Sequence, residues 1–331
     1  MFKVTDAVRE QLIGAIGFIG ASGAGKTLGM LKVAKGFMQR KYPDLTDEEH
    51  WQKIGVIDTE HERAKIYAGT SSFGLNIGSF KHLDFPAPYT VDRLDAAIRF
   101  LKDEHGVEII IIDSTSHFWE GEGGILDLQQ KMGGNFQAWR EVNPHYKNFI
   151  SLVTGEKYRI DMLNGMRAKQ HYEVSQNEVG KLKIEKMGLK PVQRDSLEYE
   201  FHIVFNIDMD HIATAMKDNS GIFSGLPQQL EAEAGEKIYD WLKTGKDVIA
   251  EEQIEKQELG KYIRTYLEDE VIGEYVSDLI EKVEERYGKL ENLAVDRLHG
   301  FVETIRRERE ERVKIGEEVG EEIIETLEGK N

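Results

Sequence analysis

Eight residues, Gly20-Ala21-Ser22-Gly23-Ala24-Gly25-Lys26-Thr27, restrict this chain more than anything else in it. Their spacing is G-x-x-x-x-G-K-[ST], a loop whose glycines let backbone N–H groups turn inward around phosphate oxygens. In such a loop Lys26 can reach the β- and γ-phosphates of a nucleotide, and the Thr27 hydroxyl can ligate Mg²⁺. The loop needs a strand before it and a helix after it, because the positive N-terminal end of that helix faces the same anion. Ala15 to Ile19 reads as a short buried strand. Leu28 to Arg40 reads as a helix with apolar Leu28, Leu31, Ala34 and Met38.

From residue 12 to about 245, strand-like and helix-like patterns alternate, which predicts an α/β fold with a mainly parallel sheet. The predicted strands are 15–20, 53–58, 76–80, 107–113, 158–166, 201–208 and 211–217. A helix is expected over 90–105, with Val91, Leu94, Ile98 and Leu101 at helical spacing and Gly106 ending it. Trp119 and Trp139 are expected to pack helices over the sheet. From Ile254 onward the apolar spacing is helical and suggests about three helices.

The charge divides unevenly. Of a net −17, residues 1–246 hold 30 basic and 35 acidic side chains, net −5, and residues 247–331 hold 13 and 25, net −12. Overall acidity argues against nucleic-acid binding through bulk charge but leaves room for a local basic site. There is no cysteine, which excludes disulfides and thiolate metal sites and fits a reducing cytoplasm. The ten histidines show no metal-ligand spacing. No apolar run could span a membrane, and Met1 to Asp6 lacks a signal-peptide core. The expectation is a cytoplasmic protein with a core over 1–246, a helical bundle over 247–305 and a charged helix or flexible tail over 306–331.

Two acidic strand ends complete the chemistry. Glu108-Ile109-Ile110-Ile111-Ile112-Asp113-Ser114 places Asp113 where it could hold the Mg²⁺ hydration shell and Ser114 where it could sense the γ-phosphate. Val56-Ile57-Asp58-Thr59-Glu60-His61 ends another strand with a carboxylate that could polarise an attacking water. On pattern alone, Asp58 and Glu60 could equally be ordinary strand-end residues contacting loop N–H groups.

Residues 180–194 hold five basic side chains and one acid, a basic island in an acidic chain. His171–Gln176 and Lys181–Lys186 alternate around Asn177-Glu178-Val179-Gly180, which predicts a β-hairpin. Lys181, Lys183 and Lys186, with Arg167 and Lys169, are candidates for phosphate contacts on single-stranded DNA, and Tyr172 for stacking on a base.

Ile57-Asp58-Thr59-Glu60-His61-Glu62, with Tyr67-Ala68 following, resembles the RecA recombinases, and the order of loop, acidic-His segment and Asp-Ser strand is RecA-like. Further segments are similar to phage-borne RecA-like ATPases, some of them single-strand-annealing recombination proteins. Among these are Asp113-Ser114-Thr115-Ser116-His117-Phe118-Trp119, Ala138-Trp139-Arg140-Glu141-Val142-Asn143-Pro144 and Lys190-Pro191-Val192-Gln193-Arg194-Asp195. Together they span residues 12–245.

The resemblance implies a RecA-like P-loop NTPase core, ATP and Mg²⁺ as cofactors, and Glu60 as the catalytic carboxylate. It also implies DNA-stimulated hydrolysis to ADP and phosphate, and a ring or filament of identical copies. A single-strand-binding or replication protein is the implied partner, and a bacterial host's cytoplasm the location if the chain is phage-encoded. Lys217 would act on a neighbouring copy's γ-phosphate. Two departures stand out. Asn164-Gly165-Met166-Arg167 replaces a glutamine that precedes the arginine, which leaves Asn164 or Arg167 for the switch. Lys217-Asp218-Asn219 lacks the arginine of a Lys-x-Arg pair. The second departure motivates an alternative: a slow nucleotide-switched scaffold or loader that recruits a replication partner through its acidic C-terminus.

Overall fold

Four consecutive isoleucines, Ile109 to Ile112, are all fully buried, a pattern that belongs to a parallel strand covered on both faces. The computed structural model describes residues 6–71, 76–176 and 182–328. Contacts divide the chain into two compact units, Leu12–Thr244 and the described parts of Met1–Gln11 and Gly245–Asn331. Among the described residues no helix is long and apolar enough to cross a membrane.

The larger unit runs β1 (Ala15–Gly20), α1 (Lys26–Lys41), α2 (Asp47–Gln52), β2 (Ile54–Asp58), β3 (Lys81–Asp84) and α3 (Val91–His105). It continues with β4 (Ile109–Asp113), α4 (Ser116–Glu120), α5 (Ile125–Lys131), α6 (Trp139–Val153) and β5 (Asp161–Gln176). It ends with β6 (Leu182–Pro191), β7 (Ile203–Ile207), β8 (Ala213–Asp218) and α7 (Ala232–Leu242). The sheet order is β3-β2-β4-β5-β1-β7-β8. Every pair from β3 to β7 is parallel, β8 is antiparallel to β7, and β6 pairs antiparallel with β5. The α/β class and mainly parallel sheet expected from the sequence are present.

Side chains alternate between two cores because successive strand residues point to opposite faces. Ile109 and Ile111 join Phe18, Phe37 and Phe205 under α1 and α7, while Ile110 and Ile112 join Leu94, Ile98 and Phe149 under α3 and α6. Each such side chain contributes roughly 1.5–3 kcal/mol on burial, so β4 is driven to the middle of the sheet. Helices α1 and α7 touch through glycine. A Cβ on Gly36 would lie 1.8 Å from the Ala232 carbonyl oxygen, and one on Gly235 would lie 2.0 Å from that of Val33. Trp119 and Trp139 stack at 6.1 Å and pack against the second core.

Several expected boundaries move. The segment 76–80 forms only a single bridge, Ile77 to Thr70, and the strand pairing with β2 is Lys81–Asp84. Trp51 Nε1 donates to the Asn76 carbonyl and Gly78 lies against the same indole, so this stretch is tethered as a loop. The strand expected over 158–166 starts only at Asp161, because Tyr158 donates its hydroxyl to Asp95 and the chain is still turning there. It then runs on past Met166 and pairs with β6 from Ala168↔Pro191 to Gln176↔Leu182. The expected hairpin is this β5–β6 ribbon. Lys181 lies outside the described residues.

The smaller unit holds α8 (Val248–Thr265), α9 (Gly273–Tyr287) and α10 (Val295–Glu328). Its own core comprises Ile263, Ile272, Val276, Leu290, Leu298 and Ile305, with neighbours at half-buried positions. Helix α10 passes through Arg306 without a break.

Candidate active site

Strand β1 delivers the chain into the glycine loop, and Gly25, at φ 90°, turns it into α1. Gly23 is also left-handed, at φ 86°, so both positions need glycine. Lys26, the first residue of α1, donates its ammonium to the Gly20 and Ala21 carbonyls, each at 3.0 Å. Burial lowers its pKa, opposed by the charges of Asp113 and Glu60.

Strands β2 and β4 are neighbours with Asp58 opposite Asp113, so both acidic strand ends emerge together. The Thr27 hydroxyl donates to Asp113 Oδ2. Asp113 is buried, which pushes its carboxyl up, countered by Thr27 and then by the Lys26 charge. A hydroxyl against a carboxylate is a hard oxygen pair of the kind Mg²⁺ takes, with substrate phosphates and water filling the remaining positions. No group of three or more acidic or histidine side chains that could hold a metal unaided occurs among the described residues. Thr27 and Asp113 therefore fit a cation shared with a nucleotide.

Asp58 organises the turn that leaves β2. Its Oδ1 accepts the Glu60 N–H at 2.8 Å, its Oδ2 accepts the Ala64 N–H at 2.9 Å, and His82 Nε2 lies 3.1 Å from Oδ2. Glu60 is thereby turned into the cleft. There Arg167 grips it with two parallel bonds, Nε to Oε1 at 2.6 Å and Nη2 to Oε2 at 2.9 Å. Burial raises the Glu60 carboxyl, but the Arg167 hydrogen bonds and charge outweigh it, so the net pKa is below the usual glutamate value.

Loop, Lys26, Thr27, Glu60, Asp113 and Arg167 line one cleft of about 800 Å³. Its far wall carries Gln229, Leu230 and Glu231, and Glu231 is ion-paired with Lys32 of α1 at 2.6 Å. Gly20 and Ala21, by contrast, contribute their carbonyls to Lys26 behind the loop.

Other expected residues fall elsewhere. Ser114 is fully buried behind the cleft. Its N–H donates to Thr59 Oγ1 at 2.7 Å, and its hydroxyl reaches Glu60 Oε1 at 3.4 Å, so it braces Glu60. Lys217, on edge strand β8, donates to the Tyr199 carbonyl at 2.6 Å and does not line the cleft. Asn164 lies buried inside the sheet, with its amide nitrogen 2.9 Å from the Val153 carbonyl, so of the two switch candidates only Arg167 lines the cleft. Arg167, grouped by sequence with the DNA-contacting cations, sits instead in the cleft. Lys169 is exposed, two residues further along β5. Tyr172 and Lys186 are register partners in the ribbon, and Lys183 is opposite Ser175.

Sequence reasoning missed the Arg167–Glu60 pair and the Lys32–Glu231 pair. Their partners are 107 and 199 residues apart, and no local pattern marks either.

No protein-family model matches the sequence, and no curated protein does. Among solved structures, the chain is similar to a KaiC-like protein of the hyperthermophilic archaeon Pyrococcus horikoshii OT3. The identity is 13%, with 67% of this chain and 94% of that one covered, at a TM-score of 0.36.

Proposed function

We propose that this chain is a RecA-like ATPase that hydrolyses ATP to ADP and phosphate with Mg²⁺. The observation that carries the reading is the convergence of Lys26, Thr27, Asp113 and Glu60 on one cleft at the mouth of a glycine loop. Backbone N–H groups of the loop and the Lys26 ammonium hold the phosphates. Thr27 and Asp113 hold the cation, which when bound neutralises phosphate charge. The Glu60 carboxylate takes one proton from water as the water oxygen bonds to the γ-phosphorus. The bond from that phosphorus to the β,γ-bridging oxygen breaks, and its electron pair stays on ADP.

Single-stranded DNA is the proposed effector. The basic island of residues 180–194 supports it, as does a two-stranded ribbon that carries exposed Lys169 at its base. Lys217, on the edge strand, is proposed to serve a neighbouring copy.

One experiment tests both parts. ATP turnover is measured with and without single-stranded DNA for the wild type, Glu60→Gln and a Lys183→Glu/Lys186→Glu double variant. Glu60→Gln should keep nucleotide binding and lose about 10²–10⁴-fold in kcat. The double variant should keep basal turnover and lose DNA stimulation and its salt dependence. Turnover indifferent to Glu60 would overturn the ATPase reading, and DNA stimulation indifferent to the two lysines would overturn the effector reading.

A further inference from the structure

Both oxygens of Glu60 are occupied. Oε1 takes Arg167 Nε and Oε2 takes Arg167 Nη2, with the Ser114 hydroxyl at the edge of hydrogen-bonding range on Oε1. A carboxylate held this way by a guanidinium has one lone pair on each oxygen engaged and its charge neutralised, which makes it a weaker acceptor for a proton from water. Hydrolysis is therefore favoured when Arg167 gives up at least one oxygen to a competing anion within its reach.

A nucleotide held by the glycine loop would bring its phosphates there. Arg167 stands opposite Gly20, the first loop glycine, in the register between β5 and β1. It lines the same cleft as Lys26, close enough that its charge adds to the lowering of the Lys26 ammonium. Its backbone is anchored, since the Arg167 N–H donates to Ser116 Oγ at 2.9 Å, its carbonyl accepts the Val192 N–H at 2.8 Å, and it is in register with Gly20. The side chain is partly exposed and lines the cleft. The planar guanidinium matches phosphoryl oxygens as well as it matches a carboxylate, and a γ-phosphoryl group carries more charge than Glu60 does. Lys217, the cation expected to act from a neighbouring copy, is bound to backbone carbonyls on the sheet edge.

We propose that Arg167 exchanges Glu60 for the γ-phosphoryl oxygens when ATP enters the cleft, so that one cation of the same chain both frees the water-activating carboxylate and neutralises the transferred group. The inference rests on the ATPase reading above. Arg167 then acts directly on the reacting phosphoryl group and is a catalytic residue of this chain. The chemistry is unchanged: one proton passes from water to Glu60, one P–O bond forms, one breaks, and the leaving electron pair remains on ADP. Arg63, whose Nη1 lies 3.8 Å from Glu60 Oε2, keeps a cation beside the carboxylate after the exchange.

The test uses the full-length protein as wild type, Arg167→Gln, Arg167→Lys and Glu60→Gln, each first checked for a wild-type melting curve. Affinities for Mg–ADP and for a non-hydrolysable Mg–ATP analogue are measured by calorimetry, and kcat by phosphate release. Arg167→Gln should leave ADP affinity within about twofold, weaken the analogue about tenfold and lower kcat about 10³-fold, the scale of an arginine acting on a transferring phosphoryl group. Arg167→Lys should restore part of the analogue affinity. Glu60→Gln, which releases the guanidinium, should bind the analogue more tightly relative to ADP than the wild type does. A residue that only braced Glu60 would leave the ratio of the two affinities unchanged. An unchanged ratio in both Arg167→Gln and Glu60→Gln overturns the exchange while the wild type still hydrolyses ATP. A wild type that neither binds nor hydrolyses ATP overturns the ATPase reading and the exchange together.

Discussion

Asp58 carries more of the site than its bland position at a strand end suggests. It is almost wholly buried, and its two oxygens accept from two backbone N–H groups and face His82. Replacing it by alanine leaves two buried N–H donors without their acceptor. At about 1 kcal/mol or more for each, the loss should be roughly 2–4 kcal/mol in urea denaturation. Turnover should fall with it, because the turn that aims Glu60 is no longer tied down. Asp161 behaves in the opposite sense. It is buried at the start of β5 with the Gly14 N–H donating to it at 2.6 Å, and burial pushes its carboxyl above the usual aspartate range against the opposing charge of Lys243. A carboxyl raised on folding contributes stability that is fully present below its unfolded value, near about 3.9, and is lost as pH rises through the folded value. Asp161→Asn keeps an acceptor for Gly14 and has no proton to lose. Its Tm should exceed that of the wild type at pH 8, and the difference should shrink toward pH 4; a constant offset across that range would contradict the burial effect.

At the level of elements, helix propensity and packing disagree, and packing wins. Gly36 sits inside α1, where alanine would favour the helix by about 1 kcal/mol. The Ala232 carbonyl stands where the new methyl would go, so α1 and α7 must separate, and Gly36→Ala should destabilise the protein by about 3 kcal/mol in thermal or urea melts. The same contrast explains what could be read from the sequence. The glycine loop, β1, β2, β4 and α3 with its Thr90 cap and Gly106 stop arise from residues that are close along the chain, and they stand within a few residues of where the pattern put them. The strand expected at 76–80 failed because the hold of Trp51 on Asn76 is a tertiary contact. Lys26, Thr27 and Asp113 could be named from the loop and strand-end patterns, whereas only the resemblance to the RecA recombinases singles out Glu60. Arg167 is one of two switch candidates, but its pairing with Glu60 could not be read, because it depends on β5 lying between β1 and β4.

The molecule as a whole divides its apolar burial cleanly. Two core clusters lie entirely within residues 15–242, and a third lies within residues 263–305. Every residue lining the cleft belongs to the larger unit. A fragment covering residues 12–244 should therefore melt cooperatively and bind nucleotide within a few-fold of the full chain, by circular dichroism and calorimetry. A fragment that fails to fold would mean that the larger unit depends on the C-terminal helices.

Strand β5 runs over 16 residues, roughly 50 Å, with its first half wedged between β4 and β1 and its second half in the ribbon, where the register shifts once between His171 and Tyr172. Strands do not stretch. A slide by one residue would turn every side chain, Arg167 included, to the wrong face, and the flanking ladders on both sides block it. The register shift between His171 and Tyr172 is where the strand can bend, so Arg167, on the anchored side of it, keeps its place beside the glycine loop when the outer ribbon moves.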